Sequence, residues 1–231
     1  MPETSQNQTP SRETTRRQLI LAAEKLFAES GIDGVSLRQI NVAAGQKNSS
    51  AAHYHFGSKS ALILSIYQHR MENVNERRVA QLEQVKADER QHEVRALVEV
   101  IVNPIVEEVD ADDTGSSYIR FMAQAIGHPQ LDLAELWQQE HSGGLAEAIA
   151  LLHETLGKTV PKPLVGQRFG LAFEQIIHSL ADREKLRHSS SNTFEINAAL
   201  FVNNLIDAVA GSMAAPVSAP TQQALDKIKS G

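Results

Sequence analysis

The amino-acid sequence predicts an all-α protein, with a small N-terminal helical domain followed by a larger helical domain. Apolar residues recur at three- and four-residue intervals through most of the 231-residue chain, and polar or glycine-containing breaks separate the segments. No stretch shows the alternation of apolar and polar residues between hairpin turns that indicates a β-strand. Together the two observations favour helices throughout.

The chain begins with a polar segment and a first helix. Residues 1–12 are rich in Gln, Asn, Ser, Thr and Pro and are expected to form a disordered arm. An apolar stripe then predicts a helix from about Thr14 to Ser30, which Gly31 ends.

The stretch 36–59 predicts two short helices joined by a glycine turn. Leu37, Ile40 and Ala44 fall on one helical face, and Gly45 follows where a C-terminal cap favours positive φ. The second helix, at roughly 49–55, carries polar and aromatic side chains that are unusual for a helix that only fills a core. A helix, a glycine turn and a polar second helix form the layout of a major-groove reader.

Two blocks of residues in this stretch resemble the N-terminal domain of TetR-type transcriptional regulators. They are Ala43-Ala44-Gly45 and YHFGSKSAL at 54–62, against a family pattern close to A-x-x-A-G-V-S-x-G-x-[IL]-Y-x-H-F-x-[SN]-K-x-x-L. The resemblance spans about residues 14–66. Two features depart from the pattern: the spacing from Gly45 to Phe56 is one residue longer, and the family's usual tyrosine falls on His53.

The resemblance implies a dimeric, ligand-responsive regulator, most simply a repressor, whose reading helices enter successive major grooves of a palindromic operator. The predicted groove contacts are Lys47, Asn48, Ser49, Ser50 and His53. The predicted phosphate contacts are Arg38, Tyr54 and Lys59.

The distribution of charge is consistent with that prediction although the net charge is −6. Residues 1–60 hold seven Lys and Arg against five Asp and Glu, whereas the remainder holds fifteen against 23. The basic excess therefore lies on the segment predicted to bind DNA.

The rest of the chain reads as a series of helices. A long helix is predicted from Lys59 to about Ala87, and further patterns cover 90–109, 115–127, 130–140, 143–157, 163–187 and 193–214. The predicted division is a DNA-binding domain at 13–60, a ligand-binding and dimerisation domain at 61–215 and a tail at 216–231.

The last two large helices have broad apolar faces, and the family uses such helices to form a two-fold four-helix bundle. The dimer contacts implied are Phe169, Ile176, Phe201, Leu205, Ala208, Val209 and Ser212. Ordinary intramolecular core is the alternative for part of each face.

The resemblance also implies a small, largely apolar ligand among the middle helices. Candidate pocket residues are Tyr118, Phe121, Met122, Trp137, His141 and, facing inward, Phe173 and His178. Aromatic and methionine side chains at helical spacing more often belong to the ordinary core of a protein.

Several other classes of protein are disfavoured. The chain has no cysteine, no apolar run of 18 residues and no apolar signal segment, so a cytoplasmic protein without disulfides is expected. His53 and His55 lie on different helix faces, which disfavours a metal site, and Glu174 with His178 has the spacing of a local ion pair. No catalytic motif and no cofactor motif is present.

The main alternative is a helical ligand-binding or interaction protein that no longer binds DNA.

Overall fold

The computed structural model describes residues 11–111, 115–126, 128, 143–187 and 197–230. These residues form ten helices and no strands, which confirms the all-α prediction. In chain order the helices are α1 (Arg12–Ser30), α2 (Leu37–Ala43), α3 (Ala51–Phe56), α4 (Lys59–Ala87), α5 (Val94–Asp110), α6 (Gly115–Ala125), α7 (Gly144–Leu156), α8 (Lys162–Arg187), α9 (Ala198–Ala214) and α10 (Ala219–Ser230). The predicted pattern at 130–140 lies outside the described residues.

The ends of α1 follow from local chemistry. The Ser11 hydroxyl accepts a hydrogen bond from the Thr14 amide at 3.2 Å, which satisfies one of the free amides of the first turn. Gly31 ends the helix with a φ of +76°, in the left-handed region that favours glycine. The predicted helix from Thr14 to Ser30 is therefore confirmed, with an earlier start.

The long helix α4 joins the predicted DNA-reading segment to the rest of the molecule. It begins at Lys59 and ends at Ala87, as the sequence predicts, and the Ser58 hydroxyl caps it by accepting from the Ala61 amide at 3.1 Å. Its sides pack against α1, α3, α5 and α7. Helix α3 ends at Phe56, two residues before Ser58, and packs against α4. Any movement of α4 therefore displaces α3.

One apolar core runs across the boundary expected at residue 60. Helix α1 packs against both α4 and α6, and the rings of Phe27 on α1 and Phe121 on α6 stack with centroids 6.0 Å apart. Both side chains are fully buried. The two segments expected to be separate domains thus share buried surface along α1.

A cluster of buried charges lies beside this core. Arg70 on α4 makes a two-point contact with Glu24 on α1, at 2.8 Å for each bond, and donates to Glu108 on α5 at 3.0 Å. Arg77 donates to the second oxygen of Glu108 at 2.9 Å. Burial alone would lower the pKa of Arg70, but the hydrogen bonds and charges of the two carboxylates outweigh it and raise that pKa above its ordinary value. Arg70, Glu24 and Glu108 are buried, while the Arg77 side chain is 32% exposed. The four charges sum to zero, which offsets the cost of burying the first three.

The C-terminal segment differs from the prediction of a tail. Residues 219–230 form α10, which places Pro220 in its first turn, where a proline loses no helical hydrogen bond. The Ser218 hydroxyl accepts from the Thr221 amide at 3.5 Å, and Leu225 is buried. A capping serine and a first-turn proline were the sequence signals for this helix.

No single helix among the described residues has the length and apolar character needed to cross a membrane. The segments Ala198–Ala214 and Ala219–Ile228 meet that length and composition requirement only together, and a bend of 54° separates them.

The charge cluster yields a stability prediction. Glu24→Ala should lower the free energy of unfolding by about 3–5 kcal/mol, because it leaves the buried Arg70 without its two-point partner. Urea denaturation followed by circular dichroism measures the change. Glu29→Ala, at an exposed position of the same helix, is the matched control and should change the free energy by under about 0.5 kcal/mol. Equal effects of the two substitutions would contradict a stabilising role for the pair.

Candidate DNA-binding interface

The first half of the helix-turn-helix is fixed by a capping box on α2. The Ser36 hydroxyl accepts from the Gln39 amide at 3.3 Å, and the Gln39 side chain accepts from the Ser36 amide at 2.8 Å. After the helix, Gly45 has a φ of +65°, which confirms the predicted turn. The turn redirects the chain towards α3.

Asn41 joins the two helices of this unit, and the sequence analysis did not single it out. Its side-chain amide donates to the Ser49 carbonyl, and its side-chain oxygen accepts from the Ala52 amide at 2.8 Å. The side chain is only 1% exposed. An asparagine beside Ile40 in a short amphipathic helix was the available signal. These bonds satisfy the start of α3, where Ser50 makes no side-chain capping bond.

The five side chains predicted to contact bases all lie on the outer surface of the turn and α3. The exposed residues are Lys47, Asn48, Ser49, Ser50 and His53. Ala51 and Ala52 point inward instead, and both are buried. The start of α3 is thus anchored through small apolar residues while its polar side chains face solvent.

Most of these outward side chains are available to a ligand. The Asn48 side-chain oxygen accepts from the Ser50 amide at 2.9 Å, so part of this side chain shapes the turn. The side chains of Lys47, Ser49, Ser50 and His53 make no hydrogen bond or ion pair with another described residue. Their donors and acceptors can therefore be used at base edges without breaking an internal contact.

The predicted phosphate contacts differ in their surroundings. Arg38 is exposed on the first turn of α2. Tyr54 is 70% exposed, and the Arg12 guanidinium lies 5.7 Å from its ring centre. Lys59 is half-buried, with its ammonium 5.8 Å from the ring centre of Phe27. Arg12 was expected to lie in the disordered arm. It is instead the first residue of α1 and adds a cation beside α3.

His55 lies on α3, near the charged residues at the start of α1. Burial comes first among the causes that lower its pKa from the ordinary value, followed by the positive charges of Arg12 and Arg16. The ring is therefore predominantly neutral at pH 7. It makes an edge-on contact with Tyr54, with ring centres 5.4 Å apart.

The candidate ligand-pocket residues fall into four groups, the last of which is the exposed His178. Those on α6 are fully buried in the core: Tyr118, Phe121 and Met122. Burial raises the pKa of Tyr118 well above its ordinary value, and the Arg70 guanidinium lies 5.8 Å from its ring centre. Phe173 is buried and stacks on Phe169 at 6.4 Å. Trp137 and His141 lie outside the described residues.

The expectation that His178 faces inward is wrong. The side chain is exposed, and so is Glu174 one turn before it. The buried stripe of α8 passes instead through Ile176, Ile177 and Leu180, which places 174 and 178 on the solvent face.

The predicted dimer residues are divided between core and surface. Four are buried by their own chain and lie in the intramolecular core rather than on a free face: Phe169, Ile176, Leu205 and Val209. The others are half-buried or exposed: Phe201, Ala208 and Ser212. The first group is covered because α8 packs on α6 and α9, while α9 packs on α5.

Three leucines of these helices are exposed to solvent, and Leu186 near the end of α8 is the least exposed of them at 56%. Leu171 on α8 and Leu200 on α9 are each 68% exposed. Neither was among the predicted dimer contacts, because the sequence pattern does not show which part of a broad apolar stripe the chain itself covers.

A cleft of about 430 Å³ is lined by residues other than the buried aromatic ones. It lies between α1, the end of α2 and the start of α6. None of the five described pocket candidates lines it. Sequence reasoning gave no sign of it, because a cleft between three helices depends on their packing.

The bridge formed by Asn41 gives a prediction for the helix-turn-helix. Asn41→Ala should destabilise this unit by about 1–3 kcal/mol, since the buried Ala52 amide and Ser49 carbonyl lose their partner. Hydrogen exchange of the Ala52 amide should accelerate accordingly. Val42→Ala, at the adjacent and 73% exposed position, is the control and should leave exchange unchanged. Unchanged exchange in the Asn41 variant would show that the bridge does not hold α3.

Residues 19–66 match the sequence profile of the family described as bacterial regulatory proteins, tetR family. The comparison with curated proteins finds no significant match. The match covers the helix-turn-helix, the part of the supporting helix α1 from residue 19 onwards and the start of α4.

Similar solved structures extend the likeness to the whole fold. One is a protein from Shewanella sp. PV-4 assigned to the tetR family of transcription regulators, with a TM-score of 0.60, 14% identity and coverage of 86% of this chain and 97% of that chain. Another is NalD, the secondary repressor of the MexAB-OprM multidrug efflux pump in Pseudomonas aeruginosa, with a TM-score of 0.50, 17% identity and coverage of 87% and 95%.

The matched segment contains the capped helices, the glycine turn and the outward polar side chains described above. The likeness to the solved structures, at these identities, concerns the fold. Residues 19–66 therefore match the helix-turn-helix domain of the tetR family of bacterial regulators, and the chain as a whole is similar in fold to the two solved structures.

Proposed function

We propose that this protein is a ligand-responsive transcriptional repressor that binds a palindromic DNA operator as a homodimer. The observation that carries the proposal is the outer surface of the turn and α3. There, Lys47, Ser49, Ser50 and His53 present side chains that have no hydrogen-bond or ion-pair partner in the part of the chain that the structure describes. The repressor role rests on the family to which the N-terminal domain belongs.

The groove-facing side chains offer chemistry that suits base edges. The Lys47 ammonium can donate to the acceptors of guanine, and the hydroxyls of Ser49 and Ser50 can donate or accept. The His53 ring carries one donor and one acceptor when it is neutral. The inserted residue near 46–47 lengthens the turn, so the loop before α3 presents Lys47 close to the reading helix.

Cations around this surface supply the sequence-independent part of the affinity. Arg38 on α2, Arg12 beside Tyr54 and Lys59 at the start of α4 flank α3 on different elements. Their contacts with phosphates would fix the position of α3 in the groove without reading sequence. The attraction exists despite the acidic net charge, because the acidic excess lies beyond residue 60.

The solvent face of α8 and α9 is the proposed dimer interface. It includes the exposed leucines Leu171 and Leu200 and the small exposed residues Ala208, Gly211 and Ser212 of α9. Apart from the neighbouring residues and backbone of α9 itself, no described atom lies within 4 Å of the position that a Cβ would take at Gly211, so a second helix can pack closely there. Burial of the two leucines would remove apolar surface from water.

Ligand response would act through α4. A ligand that changes the packing of α6 beside Tyr118 also acts on Arg70, whose guanidinium faces that ring. Arg70 holds α4 to α1, and α4 begins directly after the turn that follows α3. Two conformations of α4 with different ligand affinities would then differ in the spacing of the two reading helices.

The first test of the proposal concerns His53. His53→Ala should weaken operator binding by about 1–3 kcal/mol, or roughly 5- to 150-fold, because the ring contacts a base edge. Binding to random DNA of the same length should fall less. Fluorescence anisotropy with both duplexes at one fixed salt concentration measures the difference.

His53→Ala should leave the melting temperature nearly unchanged, since the side chain is exposed and bonds to no other described residue. Gln68→Ala, at an exposed position of α4 beyond the turn, is the control and should alter neither affinity. Equal losses on both DNAs would make His53 a phosphate contact. Loss of stability without loss of affinity per folded molecule would contradict the assignment of the reading face.

The second test concerns the dimer. Leu171→Glu should convert the dimer to monomers, because two-fold symmetry would bury two carboxylates without partners. Light scattering with size-exclusion chromatography measures the mass. Val79→Glu, at a 45% exposed position on α4, is the control and should leave the dimer intact. A stable dimer of the Leu171 variant would place the interface elsewhere.

A further inference from the structure

The cleft between α1, α2 and α6 has features of a small-molecule site. Its volume of about 430 Å³ lies within the range of ligand pockets in proteins, about 300–1,000 Å³. Side chains from the stretch 18–25 of α1 form one wall. Ala43 and Ala44 at the end of α2 form a second, and Ser117 on α6 contributes to a third. The cleft therefore spans the predicted DNA-binding domain and the predicted larger domain.

The inner surface of the cleft is mainly apolar and made of small residues. Leu21 and Ala22 are half-buried on α1, and Ala43 and Ala44 lie opposite them on α2. Three alanines leave space that larger side chains would fill. An apolar group of a few carbon atoms would gain binding free energy from each methylene that it removes from water here.

The polar groups of the cleft favour an anion. Lys25 lines it, and its ammonium makes no ion pair or hydrogen bond with another described residue. Ser117, which is 9% exposed, adds a hydroxyl. The Gln18 side chain also lines the cleft, and its oxygen accepts from Gln46 of the turn at 3.1 Å.

Glu24, the acid among the described lining residues, does not oppose this preference. Both oxygens of Glu24 accept hydrogen bonds from Arg70, so its charge is already compensated. Among the lining residues that the structure describes, the uncompensated charge is therefore the positive charge of Lys25.

We propose that this cleft binds a small amphipathic anion, a carboxylate on a short apolar chain, with Lys25 at the carboxylate and the alanines around the chain. The site is separate from the buried aromatic cluster of α6, and the binding of the anion does not depend on the proposed repressor function. Because the walls come from α2 and α6, a bound ligand holds the helix-turn-helix in one position relative to the larger domain.

Binding can be measured on the full-length protein without DNA, using octanoate as the probe. Octanoate should displace 8-anilinonaphthalene-1-sulfonate, an amphipathic anion whose fluorescence rises in apolar sites, with one saturable site per chain. Ala43→Phe should abolish this displaceable fluorescence, because the aromatic ring fills the cleft from an exposed position. Ala22→Phe fills the same space from α1 and serves as a second variant if the first does not fold.

The charge is tested separately. Lys25→Gln should weaken octanoate binding about tenfold while octanol binding stays the same, because only the carboxylate loses its partner. Lys158→Gln, at an exposed lysine after α7 that lines no part of the cleft, should bind as the unaltered protein does.

Three results would overturn the proposal: no octanoate binding, unchanged binding in both filled variants, or equal loss for Lys25→Gln and Lys158→Gln. Failure of operator binding would leave these measurements intact and would instead count against the proposed repressor function.

Discussion

The buried guanidinium of Arg70 is the interaction on which the arrangement of the other helices depends. A buried charge without a partner is costly, so this side chain stays inside the protein only while its carboxylate partners remain in place. Those partners come from two other helices, Glu24 of α1 and Glu108 of α5. The cluster therefore requires α1, α4 and α5 to meet at one point, and Arg77 makes it neutral by pairing with Glu108.

The same cluster determines which parts of the molecule can move together. Arg70 lies eleven residues after Lys59 on one uninterrupted helix, or about 17 Å along its axis. Breaking the two-point contact with Glu24 would cost about 3–5 kcal/mol, whereas typical coupling free energies of ligands are about 1–3 kcal/mol. A ligand of ordinary coupling strength would thus displace α1 and α4 as a unit. The contacts that would change in such a movement are the apolar contacts between α1 and α6.

Much of the fold could be predicted from local patterns, because helix spacing, caps and turn glycines act over a few residues. Gly45 and the start of α4 at Lys59 are examples, and the outward position of His53 follows from the inward position of Ala52. The contacts between distant residues could not be predicted. Glu24 and Arg70 are 46 residues apart, and neither stands out among the charged residues of its helix.

The same limit applies to α8 and α9. The sequence shows the apolar stripe of α8 but not where the buried part of that stripe ends. The inward orientation predicted for His178 is therefore wrong, and the exposure of Leu171 was not predicted. Which face of a helix the chain covers depends on neighbours such as α5 and α6 that are distant in sequence. Asn41 was missed for a similar reason, since its role depends on the placement of α3.

The most direct measurement of the central claim, that the outer surface of α3 binds DNA, is the affinity of the unaltered protein for the DNA upstream of its own gene. Fluorescence anisotropy should be used to measure this affinity and the affinity for a shuffled duplex over a range of salt concentrations. The proposed repressor function predicts tighter binding to the upstream DNA and, for both duplexes, an affinity that falls linearly on a log–log plot against salt. Weak binding that does not distinguish the two sequences at any salt concentration would contradict the claim.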